Sequence, residues 1–256
     1  MPPLLGWPDH LLFLILVVAY PVRAAVFGIR RLQRASEEEL PRVKLSAYRD
    51  AIVLQWLFAT ALAVLWLVTR RPWGSLGLVP RLTGGLGGVL VGLAIIVAVL
   101  VRQGYLQPAD DVSLEHVRQR TRHLERVLPT TLRERSWFFA LAGTAGVCEE
   151  VLYRGFLIWY LLAWAGFCVP NQALLALLVA AIGSSLVFGA GHVYQGARGA
   201  LLTALVGGFL AAVYGITRSL YAGMLIHALM DIHAGYLSQL AYRRTSGDPE
   251  TGPEGA

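Results

Sequence analysis

Charge is what this chain has least of. Asp, Glu, Lys and Arg make up 15% of its 256 residues, while hydrophobic residues make up 56%. Soluble domains carry about 25% charged and roughly 45–50% apolar residues, so that class is excluded and the chain reads as a polytopic membrane protein. Cysteine is nearly absent. Cys148 and Cys168 form no CxxC pair and lie in or beside apolar runs, which argues against a disulfide framework. Cys148 abuts two glutamates, but a small residue in a packed helix accounts for it without a thiol nucleophile. There is no HExxH, and no repeat at a fixed period. The N-terminal "MPPLLGWPDHLLFLILVVAYPVRA" lacks a basic leading region, so it reads as a first membrane span rather than a cleavable signal. The net charge of +6 does not indicate nucleic acid, because most arginines lie in loops between apolar runs.

A helix needs about 20 apolar residues to cross the hydrocarbon core. Runs of that kind occur at 10–28, 50–69, 84–101, 137–165, 172–192, 199–216 and 218–240. The fourth is long and contains Gly143 and Gly146, so it can be kinked, tilted or split in two. The expectation is an all-α bundle of 7–8 transmembrane helices. Sixteen Lys and Arg fall in one set of loops (29–49, 102–135, Arg198, Arg243, Arg244) and four in the alternate set (Arg70, Arg71, Arg81, Arg218). That bias puts the N-terminus outside and the C-terminus in the cytoplasm. The segment 110–129 places Leu114, Val117, Leu124 and Val127 on one face among charges, and reads as a cytoplasmic amphipathic helix at the interface. The division expected is 1–136 for N-terminal spans and this segment, 137–240 for a core that carries the polar residues, and 241–256 for a disordered tail rich in Gly and Pro.

Within the spans the ionisable residues are Arg23, Glu149, Glu150, Arg154, His192, His227, Asp231 and His233. Arg23, like His10, lies near a span end and can snorkel. A charge at the centre of a membrane helix costs roughly 2.5–3.5 kcal/mol on insertion scales, and such residues face a bundle interior or a water-filled cavity. The cluster in spans four, five and seven is therefore expected to meet in one buried polar site. Residues advance by about 100° along an α-helix. Glu150 and Arg154 then share a face and can pair, while Glu149 lies about 140° from Arg154 and is left for chemistry. Phe188 and His192 share a face of span five, where Gly189 and Gly191 allow close helix approach. His227 and Asp231 share a face of span seven, and Asp231 is expected to fix the tautomer of His227. His233 faces elsewhere. A carboxylate and two histidines suit water activation and oxyanion stabilisation. They also suit zinc binding or a proton relay in a transporter. The residues alone leave these readings, and a structural polar core, open.

The three motifs "EEVLYR" (149–154), "FGAGH" (188–192) and "HALMD" (227–231) resemble, in order and spacing, the EExxxR, FxxxH and HxxxN or HxxxD motifs of the CAAX-protease and bacteriocin-processing (CPBP) family of intramembrane proteases. That family includes the Ras-converting CAAX endopeptidase. The resemblance covers about residues 137–235, and 1–136 adds no motif. It implies an eight-helix-type fold and peptide hydrolysis near the membrane surface. It further implies that Glu149 and His192 activate a water, that His227 and residue 231 hold the oxyanion, and that Glu150, Arg154 and Phe188 support them. An ionised Asp cannot donate to an oxyanion as Asn can. Asp231 is therefore expected to orient His227, which donates alone. The resemblance favours a glutamate-activated water and no cofactor; zinc, held by Glu149, His192 and His227, is the alternative. The implied partners are the bilayer and a membrane-anchored protein or peptide substrate. High Ala, Gly and Arg content points to a bacterial inner membrane, with the site toward the cytoplasmic half. A non-catalytic scaffold, a bacteriocin-immunity protein and a proton-coupled transporter are the competing functions. Oligomeric state is not legible in the sequence.

Overall fold

The computed structural model describes residues 5–23, 29–79, 111–168 and 172–243, and every regular element among them is a helix. The apolar run at 84–101 and the tail from 244 lie outside the described residues. Helix α1 spans Trp7–Leu14 and continues through a π-helical turn, Ile15–Ala19, into Tyr20–Arg23. Helix α2 spans Leu40–Val68, with Pro41 in the first turn, where its missing N–H leaves no bond unmade. Helix α3 is Asp111–Thr121. Helix α4 begins at Leu132, where the Thr131 hydroxyl accepts the Glu134 N–H at 3.2 Å. It runs as Leu132–Glu149, passes through a π-helical segment, Glu150–Leu157, and resumes as Ile158–Cys168. The long fourth apolar run is therefore one continuous helix, wound more widely at its charged centre. Helices α5 (Ala173–Ala190), α6 (Gly196–Thr217) and α7 (Tyr221–Arg243) complete the bundle.

Among the described residues three stretches are long and apolar enough to cross a membrane: Leu40–Val68, Ala173–Ala190 and Val193–Thr217, the last including the 3₁₀ turn ahead of α6. The runs expected at 137–165 and 218–240 fall within α4 and α7, which carry the polar residues. The chain is a membrane protein with α4 at its centre. This helix lies against α2 and α7 along its first half and against α5 along its last. A core of Leu16, Leu62, Trp66, Phe156, Trp159 and Tyr160 fills the space between α1, α2 and α4. Two glycines set the closest helix approaches. A Cβ on Gly146 would lie 2.8 Å from the Met224 carbonyl oxygen of α7, and one on Gly189 would lie 2.7 Å from that of Ala200 in α6.

Polar ties mark the two ends of the bundle. At one end Lys44 Nζ donates to the Leu128 carbonyl at 2.9 Å and lies 3.4 Å from Glu134 Oε2. Nearby, Tyr48 donates to the Val127 carbonyl at 2.5 Å, and Arg135 donates to Gln239 Oε1 at 3.0 Å. The starts of α2 and α4 thus share an end with the last turns of α7. At the other end Arg71 grips the Asp9 carboxylate with two bonds, at 2.6 and 2.8 Å, joining the start of α1 to the end of α2. Helix α3 lies against α7, with Leu114 buried at 4% exposure.

Candidate active site

The site forms where α4 widens. Glu149 is the last α-helical residue of its segment and Glu150 the first of the π-helical one. π-Helical turns are rare and frequently occur at functional sites. Here the changed winding does not break the i, i+4 pair. Arg154 Nη1 donates to Glu150 Oε1 at 2.8 Å, and both side chains are about 1% exposed. Arg154 also donates through Nη2 to the Gly207 carbonyl of α6 at 3.2 Å, and its guanidinium lies 4.3 Å from the Phe188 ring centre. Gly207 makes this possible, because a Cβ there would lie 3.3 Å from Arg154 Nη2 and 3.2 Å from the Phe188 ring.

His227 is the hub between the carboxylates. Its Nδ1 lies 3.0 Å from Glu150 Oε1. Its Nε2 lies 3.6 Å from Asp231 Oδ2 and 3.9 Å from Glu149 Oε2. The tautomer-fixing bond expected from Asp231 is therefore made by Glu150. Asp231 sits within ion-pairing reach but beyond hydrogen-bond range. The reason is tertiary: Gly146 lets α7 close onto α4, which brings His227 to Glu150 before its own helical neighbour can reach it. Gly223 of α7 adds to this closeness, since a Cβ there would lie 3.0 Å from Glu150 Oε2.

His192 follows the end of α5, with backbone angles of −111° and 16° that are no longer helical. Its Nδ1 lies 2.8 Å from the Phe188 carbonyl oxygen. A carbonyl only accepts, so Nδ1 carries the proton and a neutral ring leaves Nε2 with a bare lone pair. The Phe188 ring lies between the two histidines, 4.8 Å from His192 and 5.7 Å from His227. Among the described residues no ion pair or hydrogen bond joins His192 to Glu149. His233 shares none of the contacts made by His227.

Glu149 is buried at 6% exposure and does not touch Arg154. Its Oε1 accepts a bond from Gln55 Nε2 of α2 at 2.9 Å, while its Oε2 has no hydrogen-bond partner among the described residues. Gln55 was not among the site residues expected from sequence. An inventory of ionisable groups passes over an amide, and the 1–136 half carries no motif. The available signal was a lone amide inside the apolar run "AIVLQWLFATALAVLW".

Glu149 stands fifteen residues beyond Glu134 and His227 sixteen before Arg243, each roughly 22–24 Å along its axis. The α5–α6 turn, 191–195, ends level with the site at His192. Helices α2, α4 and α7 thus project past the turn that carries His192. Among the described residues no group of three His, Cys, Asp or Glu donors converges closely enough to hold a metal ion. Among the described residues the arrangement provides one carboxylate oxygen and one imidazole nitrogen without a hydrogen-bond partner, beside a carboxylate-bound imidazole.

Residues 131–233, which carry all three motifs, match the family model for type II CAAX prenyl endopeptidase, Rce1-like. The match agrees with the resemblance to the CPBP family. No curated protein and no solved structure matches the chain.

Proposed function

We propose that this chain, Rce1-like over residues 131–233, is an intramembrane endopeptidase that hydrolyses a peptide bond of a membrane-anchored protein or peptide through a carboxylate-activated water. The observation that carries the reading is Glu149. It is a deeply buried carboxylate with one oxygen held by a neutral amide and the other free, close to His227. Glu149 Oε2 takes a proton from water as the water oxygen attacks the scissile carbonyl carbon. The bare Nε2 of His192 accepts a hydrogen bond from the same water and orients it. The carbonyl oxygen becomes an oxyanion. His227 donates to it from Nε2, which requires the doubly protonated ring because Nδ1 is committed to Glu150. Glu149, Glu150 and Asp231 supply the counter-charge for that imidazolium. The tetrahedral adduct collapses, the C–N bond breaks, and Glu149 returns the proton to the leaving amine. Glu150, Arg154 and Phe188 keep His227 in place.

The membrane frame belongs to the same proposal: 7–8 spans, α3 on the cytoplasmic face, and a site opening toward the cytoplasmic half of what is, in a bacterium, the inner membrane. The proposed chemistry runs through the carboxylate-activated water, with zinc on Glu149, His192 and His227 as the alternative the chelation test separates. Proteoliposomes with a fluorogenic peptide ending in a prenylated CAAX tail test the reading. Glu149→Ala and His192→Ala each remove cleavage while the protein still inserts, and chelation leaves wild-type cleavage intact. Full activity in purified Glu149→Ala overturns the proposal, and reversible loss on chelation with stoichiometric zinc overturns its non-metal form.

A further inference from the structure

We infer that Gln55 is the positioning residue for the Glu149 carboxylate, so that the N-terminal half of the chain completes a site whose motifs all lie in the C-terminal half. The catalytic sense of this inference rests on the reading above; the contact it describes does not.

Gln55 is 4% exposed, midway along α2, and α2 runs along the first half of α4. An amide in that place is expensive unless bonded. It spends its Nε2 on Glu149 Oε1 at 2.9 Å. The chemistry of the donor matters. A carboxylate bonded to Arg or Lys is paired with a full positive charge and loses basicity; one bonded to an amide keeps its charge and is fixed in orientation. The two neighbouring glutamates are treated in these two ways. Glu150 has the guanidinium of Arg154 and the imidazole of His227, whereas Glu149 has the amide. Fixing Oε1 also fixes Oε2, the oxygen that faces His227 Nε2 at 3.9 Å and accepts no hydrogen bond among the described residues. Without Gln55, Oε1 loses its donor and the oxygen that must meet water is no longer held. The Gln55 contact also lies outside residues 131–233, so no family motif encodes it.

Two measurements on the full chain test this. Gln55→Met keeps the shape and loses the donor, while Gln55→Asn keeps an amide with shorter reach. In infrared difference spectra the Glu149 carboxyl band is assigned by its disappearance in Glu149→Gln. The band shifts in Gln55→Met and moves back toward its wild-type position in Gln55→Asn. With the prenylated CAAX peptide, Gln55→Met lowers kcat by about tenfold to a hundredfold with KM little changed, as expected for a misplaced catalytic group. Gln55→Asn retains more of kcat than Gln55→Met. An unshifted Glu149 band in folded Gln55→Met overturns the inference, whatever the activity. A shifted band together with full cleavage by Glu149→Ala leaves the contact standing and overturns the endopeptidase reading instead.

Discussion

At the scale of single residues, the site separates two carboxylates that are adjacent in sequence. Glu150 is tied to a guanidinium and an imidazole, and Glu149 to an amide. Removing one partner from a buried ion pair leaves an uncompensated charge and costs about 3–5 kcal/mol. Arg154→Met is therefore expected to lower stability by an amount of that order, read as an earlier unfolding midpoint in mixed detergent. Adding Glu150→Gln to it should recover part of the loss, because no bare carboxylate is then left behind. An unfolding midpoint unmoved by Arg154→Met would contradict the pairing. The i, i+4 spacing made this pair legible in the sequence. Gln55 was not legible, because neither its charge nor its spacing marks it.

At the scale of elements, the closeness of α4 and α7 decides which group orients His227. Gly143 and Gly146 look equivalent in sequence, one turn apart, and the structure distinguishes them. A Cβ on Gly143 meets nothing within 4 Å, whereas on Gly146 it would lie 2.8–2.9 Å from backbone atoms of α7. Gly143→Ala is expected to be neutral or stabilising by up to about 1 kcal/mol, since Ala favours helix over Gly. Gly146→Ala forces the helices apart, at about 1–3 kcal/mol for an overpacked contact, and it reduces cleavage by moving His227 away from Glu150. Unfolding midpoints and peptide turnover of the two variants check the contrast. The π-helical segment Glu150–Leu157 is a second element-scale feature. The length of this apolar run allowed a kink, a tilt or a split; the helix is not split and continues with a wider turn at its charged centre.

At the scale of the molecule, polar ties at each end give the helices a consistent relative sidedness. Lys44 with Glu134 and Arg135 with Gln239 hold one end, and Asp9 with Arg71 holds the other. The arginine distribution predicts that the end bearing Lys44 and Glu134 faces the cytoplasm. In a background lacking Cys148 and Cys168, a cysteine introduced at exposed Arg198 should react with a membrane-impermeant thiol reagent only in inverted vesicles, and one at exposed Arg218 only in intact cells. The opposite pattern would reverse the orientation. Side chains bond across position 136, Gln55 to Glu149 and Arg135 to Gln239. The N-terminal spans are thus physically continuous with the helices that bear the motifs.

The sequence by itself determined that this is a helical membrane protein, because too little charge is present for a water-facing surface. It also determined that its few buried charges must converge, because each alone in hydrocarbon is too costly. Periodicity along one helix paired Glu150 with Arg154, and motif order pointed to a protease family. The partners made between helices were decided only by the tertiary structure: Gln55 on Glu149, Glu150 rather than Asp231 on His227, and the Gly207 carbonyl on Arg154. Helical spacing specifies which residues share a face. It does not specify how near two faces come, and that distance is set by the small residues between them.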